Sequence, residues 1–162
     1  MTVNNLAPNT ARAANKPTNN MELWEKVSPS DSAYLKKVSF GSRSFTSIDP
    51  MYQIREATRA FGPVGQGWGW HSQTEIITMA NGDVAFLAHI TVWHGNAHNS
   101  FGPFTGCRTF YKKDRIAEDA PKMAVTDGLT KALSHLGFNA DVFLGEHDNK
   151  YAADSKGVKG EW

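Results

Sequence analysis

The sequence predicts an α+β fold: a three-stranded antiparallel β-meander packed on a long α-helix, a β-β-β-α core, with a preceding helix and a short N-terminal strand. Three observations predict it. Val84, Phe86, Ala88, Ile90 and Val92 alternate with Ala85, Leu87, His89, Thr91 and Trp93, the period of a strand. Asn81-Gly82 before that run and Gly95-Asn96 after it are turn signals, so a strand stands on either side. Val125, Leu129, Ala132, Leu133 and Leu136 recur at helical spacing, with Asp127, Thr130, Lys131, Ser134 and His135 on the opposite face. Gly137 then stops the helix as a left-handed terminator.

Along the chain, residues 1–20 are polar and offer little to bury against the cost of ordering them, so a disordered tail is expected. Met21 to Val27 forms a short helix docking through Leu23, Trp24 and Val27, and Ser28-Pro29-Ser30-Asp31 turns the chain. Ala33 to Phe45 reads as a strand interrupted by Gly41, with Lys36, Lys37 and Arg43 along an exposed edge. Ser47 to Phe61 reads as a helix, with Asp49 as cap, Pro50 in the first turn, and Tyr52, Ile54, Ala57 and Phe61 as core positions. Arg55 and Arg59, four apart, share a face. Gly62 to Gly67 lacks the spacing and the Lys-Ser/Thr ending of a phosphate loop and reads as a tight turn into the sheet.

The first meander strand is expected over Ser72 to Ala80, the second over Asp83 to His94, and the third over about Asn99 to Tyr111, weakened by Gly102-Pro103. The second strand is apolar on both faces. A helix should cover one and a neighbouring subunit the other. The long helix is expected from Ile116 or Asp119 to Leu136, after which Phe138, Val142, Phe143 and Leu144 pack back. The domain is placed at residues 21–150, followed by a flexible tail over residues 151–162.

Composition narrows the function. Of the 162 residues, 40% are hydrophobic and 11% aromatic, enough for one packed domain. No apolar run reaches the roughly 20 residues of a membrane span, and residues 1–20 lack a secretory pattern. A single cysteine, Cys107, rules out an internal disulfide, and a reducing cytoplasm is the expected setting. The formal net charge is only +1, so a nucleic-acid site has to come from clustering. Lys and Arg are absent from residues 71–106 and gather on either side, at Lys36, Lys37, Arg43, Arg55 and Arg59, then at Arg108, Lys112, Lys113, Arg115, Lys122 and Lys131.

Several motifs, taken in order, resemble one family. Phe61-Gly62 followed by Gly67-Trp68 resembles an F-G-x-x-G-W element with extra residues inside it. The Asn81-Gly82 hairpin falls in the matching place, and Val125-Thr126-Asp127-Gly128-Leu129 is the nearest match. Asn139 to Tyr151 resembles a post-helix segment ending in acidic-x-Lys-Tyr. Together these resemble the Rad-fifty-two/Rad-twenty-two family of single-strand annealing proteins, in its phage or prophage form.

The resemblance implies ring or helical-filament homo-oligomers, ATP-independent annealing of DNA for recombination, and single-stranded DNA in a positive groove formed partly by the long helix. It implies no cofactor and no catalytic residues, a bacterial host cytoplasm, and a phage exonuclease or host single-strand binding protein as a further partner. Where family members carry basic residues after the Gly-Leu pair, this chain has Thr130, Lys131 and Ser134, so Lys131 alone keeps the charge. A basic position in the preceding helix aligns with Tyr52, and Arg55 and Arg59 on nearby turns are its replacements. The expected DNA-binding set is therefore Lys131, Arg55, Arg59 and Lys122, with Lys36, Lys37, Arg43, Lys112 and Lys113 for a second strand or duplex.

The residue types fit annealing, which breaks no bond. Lys and Arg contacts to phosphate give sequence-independent affinity, and a ring multiplies a few of them. Trp68, Trp70 and Trp93 are expected in the core, and Tyr111 beside Lys112 and Lys113 is the better base-stacking candidate. His94 and His98 have a spacing zinc can use but no further ligands in prospect. Glu75, Asp83, Glu118 and Asp119 suggest no catalytic dyad, so an enzyme is not expected. The competing class is an oligomeric structural or protein-interaction module of a phage with no annealing activity.

Overall fold

The computed structural model describes residues 19–41 and 43–148. Most of the expected N-terminal tail and all of the C-terminal one lie outside these residues. The chain runs α1 (Glu22–Val27), β1 (Leu35–Phe40), β2 (Arg43–Ile48), α2 (Pro50–Phe61), β3 (Trp68–Thr78), β4 (Val84–His94), β5 (Asn96–Lys112), β6 (Arg115–Ile116), α3 (Ala120–Ser134) and α4 (Ala140–Phe143). The fold is α+β. Its main sheet is antiparallel in the order β3-β4-β5-β6, and β1 and β2 form a separate two-stranded hairpin.

Two expectations about strands need correction. The segment from Ala33 to Phe45 is not one interrupted strand. Gly41, at φ +61°, reverses it into the β1–β2 hairpin, and a single 3₁₀ turn at Ser32–Tyr34, capped by the Asp31 side chain, precedes it. The sheet has four strands rather than three, because Lys113 and Asp114 both adopt positive φ and fold β6 back on β5. Two consecutive left-handed residues are the geometry of a tight two-residue hairpin. Asn81-Gly82 does not supply one. Only Gly82 has positive φ there, and the Met79 N–H to Asp83 carbonyl bond closes a three-residue loop.

α2 has the expected cap and first-turn proline: the Asp49 carboxylate accepts from the Met51 N–H and Pro50 opens the first turn. Ile48 and Ser47, expected in this helix, belong instead to β2. The glycine turn after α2 is as tight as anticipated. A Cβ on Gly67 would stand 1.7 Å from the Phe61 carbonyl oxygen.

The core lies between the sheet and α3. Ala88, Ile90 and Val92 on one face of β4 meet Ala124, Leu129, Ala132 and Leu133, with Ala57, Trp68 and Phe138 closing the ends. The helix approaches through small residues. A Cβ on Gly106 of β5 would lie 1.9 Å from the Ala124 carbonyl oxygen, and one on Gly128 of α3 would lie 2.6 Å from Ile90 Cγ1. Ala120, Ala124 and Gly128 are therefore buried, while Val125 and Leu136 are only half-buried. The opposite sheet face carries Leu87, His89 and Trp93, all half-buried. There His89 bridges Thr105 (2.9 Å) and Glu75 (3.4 Å).

α3 ends at Ser134, and Gly137, at φ +97°, turns the chain against Trp24. Beyond it Phe138 packs inward, but Phe143 and Leu144 are exposed, contrary to expectation. Asn139, Ala140 and Asp141 are buried in their place, because α4 is anchored by polar bonds. Asp141 accepts from the Ser30 N–H (2.7 Å) and Oγ (2.6 Å) and pairs with His147 (2.8 Å). Burial pushes its carboxyl up, yet the bonds from His147, Ser30 and Val142 outweigh burial and hold its pKa below the usual value. No helix among the described residues is long and apolar enough to cross a membrane.

Candidate nucleic-acid interface

The close approach of α3 to β5 brings two cations together around one carboxylate. With no side chains at Gly106 and Gly128, the helix backbone rests on the strand, and residues flanking the contact on both elements meet at its edge. Lys131 Nζ donates to the Thr105 carbonyl on β5 and to Asp127 Oδ2 one helical turn back, both at 3.0 Å. Arg108, two residues beyond Gly106 on the same strand face, reaches Asp127 Oδ2 at 3.6 Å and donates to the Cys107 carbonyl at 2.8 Å. One carboxylate thus serves two cations, and the group keeps a net charge of one positive. Both cations are partly exposed. Exposed ion pairs of this kind contribute about 0–1 kcal/mol, so a phosphate can compete for them.

A groove of about 650 Å³ runs from this cluster between β2, α3 and α4. Arg108 and Lys122 line it together with Thr46, Thr130, Asp127 and Asp148, so its two cations are matched by two carboxylates. The Thr46 N–H and hydroxyl both donate to Asp148, which ties β2 to the segment after α4 and shapes the groove wall. Guanidinium and ammonium groups hold a nucleic-acid backbone through its phosphates without reading its sequence.

A second cationic group sits on α2 and is organised in the same way. Arg55 Nε (3.1 Å) and Arg59 (2.6 Å) both bind Glu56. Arg55 also stacks. Tyr34 and Tyr52 lie parallel with ring centroids 4.6 Å apart, and the Arg55 guanidinium stands 4.5 Å from the Tyr34 centroid and 5.1 Å from that of Tyr52. Its bond to the Tyr34 hydroxyl raises its pKa further above the ordinary value. Tyr52 is buried, its hydroxyl accepting from the Asp31 N–H, so the charge at this place belongs to Arg55 one turn on.

Of the residues expected from the sequence, Lys122 lines the groove, Lys131 sits with Arg108 at Asp127 beside it and outside its lining, and Arg55 and Arg59 form a separate group on α2. Lys36 and Lys37 are exposed and adjacent in β1, so they point to opposite faces of the hairpin, opposite Ser47 and Thr46 respectively. Arg43 opens β2 across from Phe40. Lys112 lies 3.7 Å from Asp83, and Lys113 forms the hairpin turn to β6, on the far side of the sheet from β3. Tyr111 donates to Asp114 at 2.8 Å, a bond that raises its phenol pKa. Trp68 is buried and donates to Thr58, so it is closed to base stacking, whereas Trp70 and Trp93 are half-buried.

Arg108 belongs to the basic cluster visible in the sequence but not to the DNA-binding set expected from it. Its signal was the strand alternation, which puts it on the same face as Gly106, but nothing local showed that α3 would seat there. His94 stacks on Phe61 at 4.6 Å and meets Phe101 edge-on at 6.4 Å. No group of three or more His, Cys, Asp or Glu among the described residues could hold a metal ion. Compared with protein-family models and with curated proteins, the sequence matches none.

Proposed function

We propose that this protein binds single-stranded DNA along a cationic groove of a homo-oligomeric ring or filament, and pairs complementary strands without ATP, in the manner of single-strand annealing proteins. The observation that carries this reading is the pairing of Arg108 and Lys131 at Asp127 on the α3–β5 edge, beside a groove that Arg108 and Lys122 line. One such site per subunit binds weakly. Repetition around an oligomer supplies the affinity that a net charge of +1 does not.

Exposed apolar residues support the oligomer. β3 is an edge strand with Ile76 and Ile77 exposed near its end and Met79 exposed just beyond it, while Ile116 and Met123 are exposed together at the β6 side. Apolar surface on two opposite edges suits a head-to-tail contact, the kind that closes rings or extends filaments. The same surfaces would serve a structural phage subunit that ignores DNA. The two readings part on one experiment. The annealing reading expects salt-sensitive binding of unpaired oligonucleotides and faster pairing of complementary strands without ATP, with rings or filaments in electron micrographs. Oligomers that bind no single strand even at low salt would leave the structural reading standing.

A further inference from the structure

A second, smaller cavity of about 280 Å³ opens between α2 and α3, next to the groove. Ile54, Trp70, Leu129 and Leu133 make it largely apolar, and Gln53 lines it as well. Gln53 is 1% exposed, and its Nε2 has no hydrogen-bond partner. A buried amide donor left unpaired costs about 1–3 kcal/mol, which a ligand acceptor would recover once the side chain turns its enclosed Nε2 toward the cavity. Lys122 lines both this cavity and the groove, as do Thr126 and Thr130, so the two spaces adjoin.

We propose that this cavity takes one nucleobase from the bound strand in each subunit. The inference rests on the single-stranded DNA reading above and adds to it. A base ring meets the three requirements together. Its faces suit the apolar walls and the Trp70 indole. Its ring nitrogen or carbonyl oxygen supplies the acceptor that Gln53 Nε2 lacks. Its own phosphate falls to Lys122 at the junction with the groove. An apolar side chain from another subunit would fill the space but leave the amide unpaired. One base held per subunit sets the phase of the strand along the oligomer, and the remaining bases stay free to find a complement.

The test compares an oligothymidylate with an abasic strand of equal length, on the full chain and on Gln53→Met. The exchange keeps side-chain size and removes the unpaired amide, so the melting temperature should hold or rise. The wild-type protein should bind the base-bearing strand about tenfold more tightly than the abasic one, the range expected for one stacked base. Gln53→Met should lose about fivefold on the base-bearing strand and nothing on the abasic strand. Equal binding of both strands by the wild type, or an equal loss on both by the variant, overturns the base pocket while the groove reading survives. Failure to bind either strand overturns both. Quenching of fluorescence by the base-bearing strand in the wild type but not in Trp70→Phe would place the base at that wall; equal quenching in the two would overturn it.

Discussion

Asp127 stands between the two cations expected to grip DNA, and neutralising it should strengthen binding. Its carboxylate is 3.0 Å from Lys131 Nζ and 3.6 Å from Arg108. A phosphate on the outer side of the Lys131 ammonium would stand roughly 7 Å from that carboxylate. Two like charges at this separation repel by about 0.6 kcal/mol in a water-like dielectric, and by about 2.4 kcal/mol at an effective dielectric of about 20. The Lys131 side chain is 48% exposed, so the lower figure applies. Asp127→Asn should therefore tighten binding about threefold per subunit contact. The lost ion pairs are exposed, worth about 0–1 kcal/mol each, so the fold should hold. Fluorescence anisotropy with an oligothymidylate at several salt concentrations reads the effect, and Glu22→Gln on α1 controls for overall charge. Weaker binding by Asp127→Asn, with an unchanged melting temperature, would refute the reasoning. It would mean that Asp127 positions the cations more than it screens them.

Lys131→Glu should weaken binding and lower the magnitude of the salt slope by about 0.7, one phosphate contact to a single strand, while sedimentation still reports the oligomer. Because that change also sets two carboxylates four residues apart, Lys131→Gln is the cleaner companion. Arg59→Glu should cost less than Lys131→Glu in the same titration, since Arg59 lies with Glu56 on α2 rather than beside the groove. Gly106→Ala should destabilise by at least about 3 kcal/mol in urea melts, because its Cβ would meet the Ala124 backbone carbonyl. Gly128→Ala should cost less. Its nearest contact is the Ile90 side chain, which can shift, and alanine regains about 1 kcal/mol of helix propensity.

Asp141 makes stability depend on pH. Its folded pKa is held below the unfolded value of about 3.9, so its contribution is complete above that pH and is lost as pH falls through the folded pKa. The stability gap between wild type and Asp141→Asn should be wide near neutrality and close in acid. A gap that stays constant down the titration would show that the carboxylate charge is immaterial.

Periodic patterns made much of the architecture legible. The Asp49-Pro50 start, the Gly137 stop and the alternating run from Val84 to His94 are local signals whose physics acts within a few residues, and each helix or strand formed there. The gathering of basic residues on either side of residues 71–106 was equally plain. What the pattern concealed was contact through small residues. Ala120, Ala124, Gly128 and Gly106 carry almost no hydrophobic signal, yet they set how close α3 comes to the sheet, and so which cations meet at Asp127. The burial of Gln53 and Asp141 was also unreadable, since a polar residue enters a core only through partners or cavities supplied by distant segments. The sequence alone determined α2, α3, the β4 run and where charge is rich, because these follow from neighbours along the chain. Only the tertiary structure decided that Arg108 and Lys131 meet at Asp127, because that depends on two glycines letting one backbone rest on another.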